Sequence, residues 1–200
     1  MATAALLLAG VTACTNSDGG EPSPTPSAAS TSTSPTTSTT TTAPPSDSEI
    51  ASQAASDLVR SYYAVRDQLR QSPKIPLNNL KVVATSSELS ALQKLLKRER
   101  QQGLHQTGDT QIAELMVQTV SLDNADPQGG DVPTVQVDVC YDVSDADLLD
   151  KSGKSVVNAD RAETGWIRYS VANYEWDTDP SGAWRVASSQ NIERTPCAAS

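Results

Sequence analysis

Between Thr15 and Ser48, 25 of 34 residues are Ser, Thr or Pro, and the remaining apolar side chains are a few alanines. A segment of that kind buries too little surface to offset the entropy of ordering its backbone. It therefore reads as a disordered tether over residues 14–48, and it confines any folded unit to residues 49–200. As a flexible coil the tether reaches roughly 30–35 Å, and its prolines extend it further. The tract Thr36 to Thr42 is either a carrier of O-linked sugar or a plain spacer.

The folding part is long enough for a core of its own, since about 150 residues bury roughly two-thirds of the unfolded surface. There is no Phe, so that core rests on Val, Leu, Ile, Trp and Tyr. The net charge is -9, and Asp18, Glu21 and Asp47 are the only charged residues before 49, which leaves -6 on residues 49–200. That sign repels phosphate backbones, and no Lys/Arg run with interleaved aromatics occurs. Nucleic acid is excluded as an expected partner.

Ahead of the tether, Ala4-Ala5-Leu6-Leu7-Leu8-Ala9-Gly10-Val11 is an apolar run too short to span a bilayer, which takes ~20 residues. It has the length of a secretory h-region, so residues 1–13 read as a signal peptide. Val11-Thr12-Ala13-Cys14 resembles the bacterial lipobox, which implies cleavage before Cys14 and a diacylglycerol on its thiol. The alternative is an ordinary signal peptide or buried helix with an incidental cysteine. The usual basic n-region is missing, so the true start is expected a little upstream. With two acyl chains the anchor is stable where one gives marginal binding. The expected location is the outer face of the cell membrane, held there by lipid.

Ser46-Asp47-Ser48-Glu49 matches a capping box, and Ile50, Ala54, Leu58, Tyr62, Val65 and Leu69 recur at helical spacing until Pro73. This predicts one long amphipathic helix. A second box, Thr85 to Glu88, opens a helix striped by Leu89, Leu92, Leu95 and Leu96. Lys94, Lys97, Arg98 and Arg100 suit its negative end, and Gly103 terminates it. Leu77, Leu80 and Val83 predict a short helical turn between the two.

After Gly108 the period becomes alternating, which predicts a sheet. Strands are expected over Ile112 to Leu122, with a bulge near Gln118 and Thr119, then over Val135 to Val143, Thr164 to Trp176 and Ala183 to Ile192. The turn cluster Asp177 to Gly182 joins the last two. Two or three helices followed by four antiparallel strands define an α+β fold, not a doubly wound one.

The long helix Glu49 to Gln71, the helix ending Lys97-Arg98-Glu99-Arg100-Gln101-Gln102-Gly103 and the strand opening Gly182-Ala183-Trp184-Arg185-Val186 resemble the nuclear transport factor 2-like superfamily, in particular exported lipoproteins of actinobacteria. The resemblance implies a cystatin-like cone, in which a curved sheet wraps the first helix and leaves an open end that can act as a pocket. Some relatives are enzymes and many only bind or assemble, so the fold does not assign a role.

With Cys14 given to lipid, Cys140 and Cys197 are an even pair in an oxidising compartment, and a disulfide between them is expected. It ties the chain end to the polar face of the second strand. The alternative is two free buried thiols.

Sites for chemistry are scarce. His105, the one histidine, lies in an expected turn beside Gly103 and Gly108, a poor place for a triad base. Ser152-Gly153-Lys154-Ser155 has Leu148 where a phosphate loop needs Gly, so it reads as a turn. Asp142, Asp145, Asp147 and Asp150 lack EF-hand spacing, since Leu149, Asp150 and Val156 stand at required positions, so they read as a solvated acidic loop, with weak divalent-ion binding as the alternative. No cofactor, metal or catalytic residue is expected. Trp166, Tyr169, Tyr174 and Trp176 are core or sheet packing, or in part a ligand or partner surface at the cone mouth. Tyr62 and Tyr63 are expected to face opposite ways on the first helix. The favoured role is a non-enzymatic binding or assembly module of the cell envelope, with a protein, glycan or apolar ligand as partner. The alternatives are a cone-fold enzyme using a pocket carboxylate or tyrosine, and a structural spacer or surface antigen.

Overall fold

The structure, a computed structural model, describes residues 44–198. The expected signal peptide, the lipidation site Cys14 and most of the tether lie outside the described residues. Helix α1 spans Asp47–Gln71, a 3-10 turn Leu77–Val82 and helix α2 Ser86–Gln102. Strands follow as β1 His105–Thr107, β2 Gln111–Ser121, β3 Thr134–Asp142, β4 Asp147–Leu149, β5 Thr164–Asn173 and β6 Trp184–Ile192. Strands β2, β3, β5 and β6 form an antiparallel sheet in chain order, and β1 pairs with β4 in a separate ribbon. The fold is α+β, helices first and then a mainly antiparallel sheet. That sheet is open and uncurled, with β2 and β6 as its edges.

The N-terminal cap of α1 forms as its sequence dictates: Ser46 Oγ accepts from the Glu49 amide, and the Ser46 amide donates to Glu49. The deepest line of the helix is displaced by one residue from the expected stripe. Ala51, Ala55, Val59, Tyr63 and Asp67, spaced four apart, are buried, whereas Ile50, Ala54 and Leu58 pack along the flank. Small alanines at the contact let the helix axis approach the sheet, and the larger side chains fill the sides. Tyr62 and Tyr63 do not diverge. Consecutive helical residues are roughly 100° apart, so two long side chains can lean into one space. Both rings meet Tyr169, at 5.4 and 6.0 Å, and each other at 5.8 Å.

Helix α2 starts where its box predicts, but neither side-chain bond of that box forms. Thr85 stands at the N-cap without a side-chain bond, and Glu88 turns inward to accept from the Tyr62 hydroxyl and from Ser189 Oγ at 2.7 Å. A buried carboxylate finds better partners in the core than at an exposed helix end. At the other end Gly103 takes φ 73° and closes the helix through bonds to Arg100 and Glu99.

The bulge expected near Gln118 is present as a register shift between Val117 and Thr119. Strand β5 stops at Asn173 instead of continuing to Trp176. Asn173 is fully buried, donates to the Asp179 carbonyl and accepts from the Glu175 amide, so it turns the chain there. His105 is half-buried in β1 opposite Leu149, not in a loop. Local spacing gave no sign of its distant partner.

The outer face of the sheet is not a solvated polar face. Asp138, Cys140 and Asp142 are all buried. The chain after β6 runs back across them: the Trp166 indole donates to the Thr195 carbonyl at 2.9 Å, and Arg194 lies 4.9 Å over the Trp166 ring. Cys197 is disulfide-bonded to Cys140, with Cα atoms 6.3 Å apart. Under this strap Asp138 receives a bidentate pair from Arg168, at 2.6 and 2.8 Å, and a longer contact from Arg194 at 3.4 Å. No helix of the described residues is long and apolar enough to cross a membrane.

Candidate functional site

The C-terminal half of α1 carries Arg66 and Arg70 four residues apart, hence on one side of the helix. Facing them are the β1–β4 ribbon, Tyr141 near the end of β3, Ile167 on β5 and the loop residue Arg161. Together they bound a cleft of about 300 Å³. Its lining holds three guanidinium groups against one carboxylate, Asp147, on a chain whose net charge is -9.

Each arginine is held differently. Arg70 forms a bidentate pair with Glu99, at 3.1 and 2.6 Å, and so ties α1 to α2. Arg161 donates from Nη2 to the carbonyls of Val143 and Ala146, at 2.7 and 2.9 Å, which fixes the connection between β3 and β4. Arg66 is the least satisfied. Its side chain is only 16% exposed, its one hydrogen bond runs from Nη2 to Thr110 Oγ1 at 3.3 Å, and its Nε is buried without a partner. The nearest carboxylate, Asp67, stands 3.8 Å away and is engaged by the amide and hydroxyl of Thr110 at 2.6 and 3.1 Å.

The guanidinium of Arg66 lies over Tyr63 at 4.4 Å and near Tyr62 at 5.9 Å, a cation–π arrangement at the edge of the tyrosine cluster. Desolvation works to lower the Arg66 pKa, but the oxygens of Tyr169, Tyr63 and Tyr62 and the Asp67 carboxylate outweigh it and hold the group above its ordinary value. The cation is permanent. Burial raises all three phenols, Tyr62, Tyr63 and Tyr169, above their ordinary value of 10.0. A group whose folded pKa is raised supports the fold fully below its unfolded value and loses that support as pH climbs towards the folded one. The window therefore opens above about pH 10. Alkaline titration followed at the phenolate absorbance is expected to show these three tyrosines ionising in one step with loss of the circular dichroism signal. Smooth ionisation of all tyrosines ahead of unfolding would contradict their burial.

The aromatic residues singled out in the sequence do not share a surface. Trp166 lies on the outer face under the strap, and Tyr169 is in the core with its hydroxyl donating to Tyr63 at 2.9 Å. Tyr174 is 52% exposed beside Ser86, and Trp176 packs edge-on against Trp184 at 6.0 Å. The acidic loop serves its own turns. Asp150 accepts from Ser152 and Lys154 amides, Asp147 from Leu148 and Ser155, and Asp142 from Ser144.

Arg66, Asp67 and Thr110 belong to no motif in the sequence. One signal was present: Asp67 falls on the four-residue line of Ala51, Ala55, Val59 and Tyr63, and a carboxylate on an otherwise apolar line marks a buried polar contact.

No family model matches the sequence, and no curated protein matches it. Among solved structures the chain is similar to the intermembrane space region of the chloroplast protein ARC6, at 18% identity and a TM-score of 0.49, over 76% of this chain and 100% of that one.

Proposed function

We propose that this chain is an extracytoplasmic lipoprotein, anchored to the outer face of the cell membrane through Cys14, whose domain is a non-enzymatic binding or assembly module of the cell envelope. The observation that carries the reading is the Cys140–Cys197 disulfide, a bond that persists in oxidising compartments and is rare in a reducing cytosol. The lipobox-like Val11-Thr12-Ala13-Cys14 and the Ser/Thr/Pro tether after it agree with that compartment. A binding role is supported by how the interior is used. Tyr62, Tyr63 and Tyr169 fill the centre between α1 and the sheet, and the polar groups open to a ligand lie in the cleft at the side.

Metabolic labelling with an alkyne-bearing fatty acid in the native cells tests the anchor. The wild-type chain is expected to take the label and sediment with membranes, and Cys14→Ser to lose both properties. An unlabelled wild type recovered with the cytosol contradicts the proposal.

A further inference from the structure

Arg66 is a cation shut largely inside the protein with one hydrogen bond, an unpartnered Nε, and one long ion pair, to Asp67 at 3.8 Å. Asp67 is itself engaged by the amide and hydroxyl of Thr110, so the guanidinium of Arg66 keeps donors that no hydrogen bond uses. Arg161 is exposed, and protein groups among the described residues engage only its Nη2, which leaves Nε and Nη1 available to a ligand in exchange for water. Arg70 is neutralised by Glu99, and Asp147 is occupied by Leu148 and Ser155. The lining thus presents three guanidinium groups and one carboxylate, with Asp67 and Glu99 outside it, and Tyr141, Leu148 and Ile167 give it apolar walls that weaken screening by water.

We infer that the cleft between α1, the β1–β4 ribbon and Arg161 binds a small ligand through an oxyanion group, a carboxylate or a phosphate, taken between Arg66 and Arg161. Guanidinium groups bind both anions by paired, charge-assisted hydrogen bonds, so the two share one chemistry here. A volume of about 300 Å³ admits the anionic group with a short apolar stem. The inference rests on the binding role proposed above but not on the anchor. Lipid labelling and anion binding can fail independently.

The test uses the full-length, oxidised chain and two probes, inorganic phosphate and succinate, each titrated at constant ionic strength. The Nε–H of Arg66 is protected from exchange by burial, so its nitrogen–proton NMR resonance is a direct reporter. One or both probes are expected to shift it saturably, with a Kd of about 1 mM or tighter. Phosphate acting alone assigns a phosphoryl ligand, and succinate acting alone a carboxylate. Arg66→Gln and Arg161→Gln are each expected to weaken binding about tenfold. The second variant keeps the test valid if the first fails to fold. Three results would overturn the inference: no saturable shift with either probe, an equal shift with sodium chloride, or unchanged affinity in Arg161→Gln.

Discussion

Replacing both Cys140 and Cys197 by alanine is expected to lower the stability of the domain by about 4 kcal/mol, the entropy of closing a loop of this length in the unfolded chain. The sequence separation is 57 residues. For a domain of this size the loss corresponds to a fall in Tm on the order of 10 °C. The structure gives the change a local signature as well. Without the bond the strap is held by the Thr195–Trp166 and Thr164–Cys197 hydrogen bonds, the Arg194–Trp166 stack and the Arg194–Asp138 contact. Its release uncovers Trp166, which is 8% exposed when the strap is closed. Thermal denaturation with and without reductant should show the shift, and tryptophan emission should move to the red before global unfolding. An unchanged Tm in the double variant would mean that the strap contributes nothing to the fold.

Arg168→Ala is expected to cost about 3 kcal/mol, more than Asp138→Asn, although both variants break the same ion pair. The asymmetry follows from where each partner sits. The Asp138 side chain is 0% exposed and the Arg168 side chain 37%. Removing the arginine strands a carboxylate under the strap with only Arg194 at 3.4 Å to answer it. Neutralising the aspartate instead leaves a guanidinium that can turn to water. Combining Arg168→Ala with Arg194→Ala should be worse than the sum of the single changes, because each then covers for the other. Urea denaturation of the wild type, the three single variants and the double variant measures all of this. Equal costs for Arg168→Ala and Asp138→Asn would show that Asp138 is solvated in the native state.

Those two predictions concern features that were unequally visible in the sequence. The cysteine pair could be read from compartment and parity alone. The burial of Asp138 could not: in Val135-Gln136-Val137-Asp138-Val139-Cys140 the aspartate looks like any residue on the wet side of a strand, and the strap that covers it arrives from more than fifty residues away. The same distinction separates the rest of the fold. The Ser46 cap, the Gly103 stop, the bulge at Val117 and the order of helices before strands depend on neighbours within a few residues, and their signals are local. The β1–β4 ribbon depends on pairing His105 with Leu149, and three-residue strands carry too little pattern to announce themselves.

The candidate site was the least legible part. Arg66 on an amphipathic helix reads as a solvated charge at the border of the apolar stripe. Only the packing of Tyr63 beneath it and of Thr110 beside it makes it a buried cation. The inward turn of Glu88 is similar in kind. A helix-capping pattern was written at Thr85 to Glu88, and the core took the carboxylate for Tyr62 and Ser189.

The oxidation state of Cys140 and Cys197 in living cells reports directly on the compartment in which the domain resides. Free thiols are blocked with one alkylating reagent in intact cells at the moment of lysis; the protein is then reduced, alkylated with a heavier reagent and digested. The expected result is that the peptides holding Cys140 and Cys197 carry only the heavier label. Lighter label on both would place the chain in a reducing compartment and contradict the assignment.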